Sequence, residues 1–462
     1  MAQSSDDKSP LTLGTAPVSK LLVQYSVPAI IASVATSLYN IIDSIFIGQG
    51  VNAMAISGLA ITFPLMNLVM AFVTLIAAGG SAISSIFLGQ KDVARATDVV
   101  NNVMSLSVIS SLLVGGFGLW YIDEVLELFG ATPETITYAR EFMIIVLAFT
   151  PLFFVFIGLN NVMRATGYPK KAMISALFSV AVNLILAPIF IFKFKWGISG
   201  AALATVCGQT VAFIWVMIHF LSPKSYVRLN IRGNWFSWSI IRRIYAIGLS
   251  PFLMNVCACV VVVFINKSLL SYGGADGNLC VGAYGIINRV TMLFVMVVFG
   301  VTQGMQPILG FNYGAGQWCR VKHTLNIGIW VGLILTTIGG AIGLLLPAQV
   351  SRMFTVDQTL IEISRNGFHV YYTCIFVVGV QIVIQNFFQS IGKPSYSIFL
   401  SMTRQLLFLI PFLILFPPKW GVDGVWGAMA ASDMLAFLTA IATLWVVMRK
   451  LNRQFQNIHP SC

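Results

Sequence analysis

Two acidic residues lie well inside long apolar stretches: Asp43, in LYNIIDSIFIG, and Asp433, in AASDMLAFL. An ionisable group in hydrocarbon costs at least about 2.5 kcal/mol, so such groups are as a rule functional or paired. Tyr39 and Asn40 precede Asp43 by four and three residues, which places all three on one helix face. A carboxylate beside a phenol and an amide can bind a proton or a sodium ion. Asp43, Tyr39 and Asn40 are therefore candidate ion-coupling residues, a purely structural carboxylate being the alternative. Asp433 reads as one half of a buried pair with a neighbour such as Arg404, or as the partner of a helix dipole; its functional alternative is a proton relay. Four scattered histidines and an odd number of cysteines, seven, match neither a metal-ligand spacing nor a disulfide framework. No metal site, catalytic residues or enzymatic activity are expected.

These two carboxylates stand out because charge is scarce. The chain has 462 residues, 27 of them basic and 15 acidic, so 9% are charged, against roughly 25% in a soluble domain. With 58% hydrophobic residues, there is too little polar surface to cover a water-soluble globule, which excludes a soluble enzyme. The polar start MAQSSDDKSPLTLG lacks the basic region and short apolar core of a signal peptide, so the first apolar stretch is expected to stay as a span.

A spanning helix needs about 20 mostly apolar residues. Twelve stretches qualify, near 20–47, 55–80, 99–121, 138–162, 172–192, 198–221, 243–270, 281–305, 324–346, 367–389, 396–416 and 421–448. Their runs are continuous, unlike the alternating strands of a β-barrel. The fold class is an all-α polytopic membrane protein. Basic residues gather in alternate loops and acidic ones in the others, which puts both termini on the cytoplasmic side of the cell inner membrane. The net charge of +12 thus reflects orientation in the bilayer, and no nucleic-acid partner is expected. Residues 1–19 and 449–462 read as cytoplasmic tails, and 222–242 as a basic cytoplasmic linker between lobes at 20–221 and 243–448.

The two lobes repeat each other. RATGYPKKA (164–172) parallels QSIGKPSYS (389–397), and WGISGAALA (196–204) parallels WGVDGVWGA (420–428), at offsets of 225 and 224. Pro28 and Pro251 also correspond. A constant offset signals duplication. Six spans in each half make the halves parallel, with pseudo-two-fold symmetry about the membrane normal. Twelve transmembrane helices in two six-helix lobes around a central cavity, a V-shaped transporter that alternates access by rocking, is the expected architecture. Pro28 and Pro251 are candidate hinges, since proline removes a helical hydrogen bond, or else static kinks.

The stretches SVPAIIASVATSLYNIIDSIFIGQG (26–50), RATGYPKKA, WGISGAALATVCGQ (196–209) and GAYGIINRVTMLFVMVVFGVTQGMQPILGFNYGAGQWCRVKHTL (282–325) resemble the multidrug and toxic compound extrusion (MATE) family in its DinF-like and MepA-like branch. The resemblance runs in order over nearly the whole chain. It implies a twelve-helix, two-lobed antiporter that exports organic, often cationic, compounds in exchange for H⁺ or Na⁺. It also implies that Asp43 is the coupling residue, with Asn183 and Thr205 as further polar members of its site. The family often carries N-x-x-x-D-P in the fifth span, where this chain has Asn183 through Ala187-Pro188. A sodium site that loses an anionic ligand loses much of its affinity. The expected coupling ion is therefore H⁺, with a weak Na⁺ site at Asp43, Asn183 and Thr205 as the alternative. No other cofactor is expected.

Substrate candidates are the polar residues Asn160, Asn161, Tyr39, Gln303 and Gln306, together with the adaptable apolar residues Phe153, Phe154 and Met292. The competing use of the amides is helix-to-helix bonding, and that of the apolar residues is core or lipid contact. Small organic solutes and the lipid bilayer are the expected partners, and a monomer the expected state. A lipid-linked sugar flippase of the related superfamily is the alternative function. It would want an arginine-rich cavity, whereas the arginines here concentrate in cytoplasmic loops. The P-loop pattern GxxxxGK[ST] does not occur, so the energy source is expected to be an ion gradient.

Overall fold

Backbone in hydrocarbon must satisfy its own hydrogen bonds, so apolar runs of this length form helices. The computed structural model describes residues 11–50, 53–129 and 131–456, and no strand occurs among them. The first half contains α1 (Val18–Gly50), α2 (Ala53–Gly89), α3 (Val93–Trp120), α4 (Ile136–Ala148), α5 (Thr150–Ala165), α6 (Pro169–Pro188) and α7 (Gly197–Leu221). The second contains α8 (Trp238–Tyr272), α9 (Gly277–Gly314), α10 (Trp318–Leu345), α11 (Gln358–Tyr371), α12 (Phe376–Ser390), α13 (Pro394–Met402), α14 (Ile410–Leu415) and α15 (Pro417–Gln456).

Among the described residues, 10 helices are long and apolar enough to cross a membrane, or up to 12 when each bent pair counts as one span. The bent pairs are α4 with α5, at 57°, and α11 with its 3₁₀ end followed by α12, at 50°. The sequence reads these as straight spans at 138–162 and 367–389. In the first pair the chain restarts at Thr150-Pro151, where proline suits the first turn of a new helix. Several helices also outrun their apolar stretches, α2 to Gly89 and α9 to Gly314. Composition marks what can enter hydrocarbon, and backbone hydrogen bonding does not stop there.

The duplication is visible in the backbone. Lys91, Gly167 and Gly197 have φ of 61°, 104° and 57°, and their counterparts Gly316, Gly392 and Gly421 have 72°, 70° and 57°. Each pair turns the chain between the same two spans of its half. Lys91 does so despite the cost of about 1 kcal/mol that the left-handed region imposes on a side chain. Packing is conserved by exchange of size: Gly80 faces Val103 in the first half, and Met305 faces Gly328 at the counterpart positions of the second.

Contacts divide the chain into one unit of 1–16 and 27–252 and another of 17–26 and 253–462. The linker and the start of α8 thus belong with the first unit, and the start of α1 with the second, which differs from lobe boundaries drawn at 20–221 and 243–448. The divisions at 26/27 and 252/253 fall within two residues of Pro28 and Pro251. Both prolines sit inside helices that continue past them.

Within the first unit, α3 holds the linker by its side chains. The Asn101 amide donates to the Asn230 carbonyl at 2.8 Å and accepts from the Asn230 N–H at 3.1 Å. Asn102 donates to the Asn234 carbonyl and accepts from the Ser237 N–H, both at 2.9 Å. Asp98 Oδ1 accepts from the Asn234 N–H at 3.1 Å. Each asparagine therefore offers the irregular backbone the donor and acceptor that a neighbouring strand would offer. Five described cysteines, Cys207, Cys257, Cys259, Cys280 and Cys374, are free. Replacing both asparagines, Asn101→Ala with Asn102→Ala, is expected to increase the rate of proteolytic cutting within 222–237 at least tenfold. Cutting elsewhere should be unchanged, as read by limited proteolysis and mass spectrometry.

Candidate functional site

Asp43 lies on α1, one turn past Tyr39, and is 7% exposed. Helices α6 and α7 pack against each other along their length, which brings Asn183 and Thr205 together. Asn183 Nδ2 donates to Thr205 Oγ1 at 3.0 Å, and the Tyr39 hydroxyl lies 3.3 Å from the same oxygen. Thr205 donates its one hydroxyl proton to the Ala201 carbonyl at 3.1 Å. When that proton goes to Ala201, the Tyr39 hydroxyl donates to Thr205; when it turns to Tyr39, Thr205 is the donor.

The hydrogen bookkeeping fixes the character of the site. One of the two N–H groups of the Asn183 amide is engaged by Thr205. Asp43 Oδ1 and Asn183 Oδ1 are buried and have no hydrogen-bond partner. A buried acceptor without a donor costs about 1–3 kcal/mol. Two of them, with a carboxylate, make a place for a proton or a small cation and a poor place for an anion. Ala187, one turn past Asn183, is fully buried. It fills with a methyl group the position at which the resemblance would place a second carboxylate. Past Pro188 the helix continues as a π-helical turn, Ile189–Lys193, a feature frequent beside functional positions.

Four of the five expected ion-coupling residues, Asp43, Tyr39, Asn183 and Thr205, therefore share one unit and one neighbourhood. The side chain of the fifth, Asn40, lies outside the described residues.

The expected substrate residues do not assemble in the same way. Asn160 is 4% exposed, and its amide donates to the Ala172 carbonyl at 3.0 Å and to Ser175 Oγ at 2.6 Å, joining α5 to α6. Arg164 donates to its Oδ1 at 3.4 Å. A fully bonded amide between two helices is structural, which corrects its reading as a substrate anchor. Asn161 donates back to the Ile157 carbonyl of its own helix at 2.9 Å. Phe154 is buried in the core at 1% exposure, a second correction, whereas Phe153 is half-buried and Met292 exposed. Gln303 is half-buried and Gln306 buried, and both have polar partners. Arg404 is indeed bonded to Asp433, through Nε at 2.7 Å. Tyr371, close enough to that pair to feel its charges, carries no sequence signal beyond being a tyrosine in a span. Among the described residues no three His, Cys, Asp or Glu side chains could share a metal ion.

Against known proteins, the sequence model of the family described as MatE matches residues 28–189 and 247–415. The chain belongs to the MatE family. It is 26% identical over 422 residues to the multidrug export protein MepA of Staphylococcus haemolyticus, covering 91% of this chain and 92% of that one. MepA of Staphylococcus aureus strain bovine RF122 / ET3-1 is 25% identical over 436 residues, covering 94% and 95%. Among solved structures, the MATE multidrug transporter DinF-BH superposes with a TM-score of 0.87 at 32% identity, covering 94% and 96%. A MATE protein in a bent conformation gives 0.90 at 22%, covering 96% and 99%, a likeness of fold. The two-lobed, all-helical MATE architecture is thus established for this chain.

The contrast between the two neighbouring asparagines can be measured. Asn160→Leu should cost about 2–4 kcal/mol of stability, because it removes two buried hydrogen bonds between α5 and α6 and one from Arg164. Asn161→Leu should cost less than about 1 kcal/mol. Thermal unfolding of the purified, detergent-solubilised variants checks both.

Proposed function

We propose that this MatE-family chain is a secondary active multidrug efflux antiporter. It exports cationic or amphipathic organic compounds in exchange for H⁺, with Asp43 as the coupling carboxylate. The observation that carries the reading is the buried, donor-free Oδ1 of Asp43, one turn from Tyr39, whose hydroxyl reaches the Thr205 oxygen that Asn183 also bonds. A proton on Asp43 turns an acceptor into a donor and removes the charge from the interior of the span. Sodium is the weaker choice, since Ala187 supplies no oxygen.

The MepA relatives are named as multidrug exporters, and DinF-BH is named as a multidrug transporter; both support an organic substrate. Placement in the cell inner membrane with cytoplasmic termini follows from the basic loops. Rocker-type alternating access suits a duplicated chain whose units divide next to Pro28 and Pro251. In this scheme each proline, having removed one helical hydrogen bond, marks where its helix bends.

Everted membrane vesicles loaded with ethidium test the reading. Collapse of the proton gradient should abolish efflux, and removal of sodium should leave it within about twofold. Asp43→Asn should reduce efflux at least tenfold with unchanged protein level. Ala187→Asp, by returning a carboxylate to the cage, should make efflux depend on sodium. Efflux that needs sodium in the unmodified protein overturns the proton assignment, and full activity of Asp43→Asn removes Asp43 from the mechanism.

A further inference from the structure

The first unit holds a cavity that shares no residue with the Asp43 site. It lies between the start of α3 and the linker that follows α7, and it measures about 510 Å³. Small-molecule sites span roughly 300–1,000 Å³, so there is room for a polar headgroup. Ala94, Thr97 and Asp98 line it from α3, at spacings that put them on one helix face. Tyr226, Arg228 and Asn230 line it from the linker. The bonds of Asp98, Asn101 and Asn102 to the linker backbone hold the two walls together.

One carboxylate and one guanidinium face this space, and neither is paired. The ion pairs among the described residues are Arg95 with Asp92, Arg140 with Asp123 and Arg404 with Asp433. Asp98 and Arg228 belong to none of them, and they do not reach each other across the cavity. Asp98 Oδ1 accepts from the Asn234 N–H at 3.1 Å. A neutral amide would accept that bond equally well, as Asn101 and Asn102 do for Asn230 and Ser237 one turn further on. At the offset of 225 the counterpart of Asp98 is His323, so the repeated helix is built without an acid there. Folding therefore explains the Oδ1 bond but not the negative charge.

The place of the cavity narrows what could fill it. Val93 opens one spanning helix and Leu221 closes another; the lining includes Val93 and also Pro223, two residues past Leu221. The cavity thus sits where hydrocarbon gives way to lipid headgroups. Leu221 and Ile231, which flank its linker wall in sequence, are 61% and 87% exposed and offer apolar surface to acyl chains. We propose that it binds the headgroup of phosphatidylethanolamine, with the phosphate on Arg228 and the ammonium on Asp98. An arginine fork matches two phosphate oxygens in parallel hydrogen bonds, and a primary ammonium has N–H groups to give a carboxylate. An anionic headgroup would meet Asp98 as a like charge, and a trimethylated one has no proton to donate. The bound lipid bridges α3 and the linker. This inference needs only the placement of the helices in a bilayer and is independent of the antiport reading.

The test is native mass spectrometry of the purified, delipidated full chain, offered phosphatidylethanolamine, phosphatidylcholine and phosphatidylglycerol with identical acyl chains at equal concentration. The first bound ethanolamine lipid should be held about fivefold more tightly than either of the others. Asp98→Asn keeps an acceptor for the Asn234 N–H; it should bring the preference over phosphatidylcholine to less than about twofold. Arg228→Gln should weaken binding of the ethanolamine lipid about fivefold. Equal affinity of the unmodified protein for the three lipids overturns the proposal without recourse to any variant, and so does tightest binding of phosphatidylglycerol, the mark of a merely basic surface. A preference that survives both substitutions places the lipid elsewhere and overturns it too. Displacement of the lipid by soluble glycerophosphoethanolamine at equal concentration would make this the site of a soluble zwitterion and overturn the lipid assignment. None of these outcomes bears on ethidium efflux, which tests the antiport reading separately.

Discussion

Hydrocarbon offers no water to a polar group, and that one constraint orders this molecule. Backbone groups are satisfied within helices, so the spans are helical throughout. Side-chain amides and hydroxyls are satisfied by neighbours, which is why Asn160 bonds α5 to α6 and Thr336 reaches the Phe376 carbonyl across two helices. Where a buried polar atom has no partner, the constraint is violated at a cost of about 1–3 kcal/mol. Asp43 Oδ1 and Asn183 Oδ1 stand out among these because one of them belongs to a carboxylate and because Asn183 shares Thr205 with Tyr39.

The same constraint explains what could be read from the sequence. Apolar runs of sufficient length had to be spans, and an offset of 225 or 224 had to mean duplication; both are matched by the helices and by the paired left-handed turns. Asp43 was legible because an acid in a span is expensive, and Tyr39 because helical spacing places it one turn away. Asn183 and Thr205 came from family resemblance, since helices so distant in sequence leave no periodic trace on α1. The bends after Ala148 and Cys374 were illegible because hydropathy averages over a break of one residue. The amides were misread for a different reason. An asparagine in a span announces that it has a partner without saying which, and Asn160 spends all its capacity on Ala172, Ser175 and Arg164.

Duplication gave the chain two copies of one packing solution, and comparing them separates architecture from chemistry. Glycines that turn the chain recur at Gly167 and Gly392 and at Gly197 and Gly421, because no other residue enters the left-handed region as cheaply. Residue size is exchanged across Gly80 with Val103 and Met305 with Gly328, so volume is retained while identity is not. The polar sites follow neither rule. Asn183 and Thr205 face Phe408 and Met429 at their repeat positions, and Arg404 and Asp433 face Ser179 and Gln209.

A six-helix unit evidently folds with either set, so each set must be accounted for by something other than folding. In both units buried acceptor oxygens are left without donors, Asp43 Oδ1 and Asn183 Oδ1 in the first and Asp433 Oδ2, on the carboxylate bonded to Arg404, in the second. Duplication has thus kept the packing while letting the polar residues diverge.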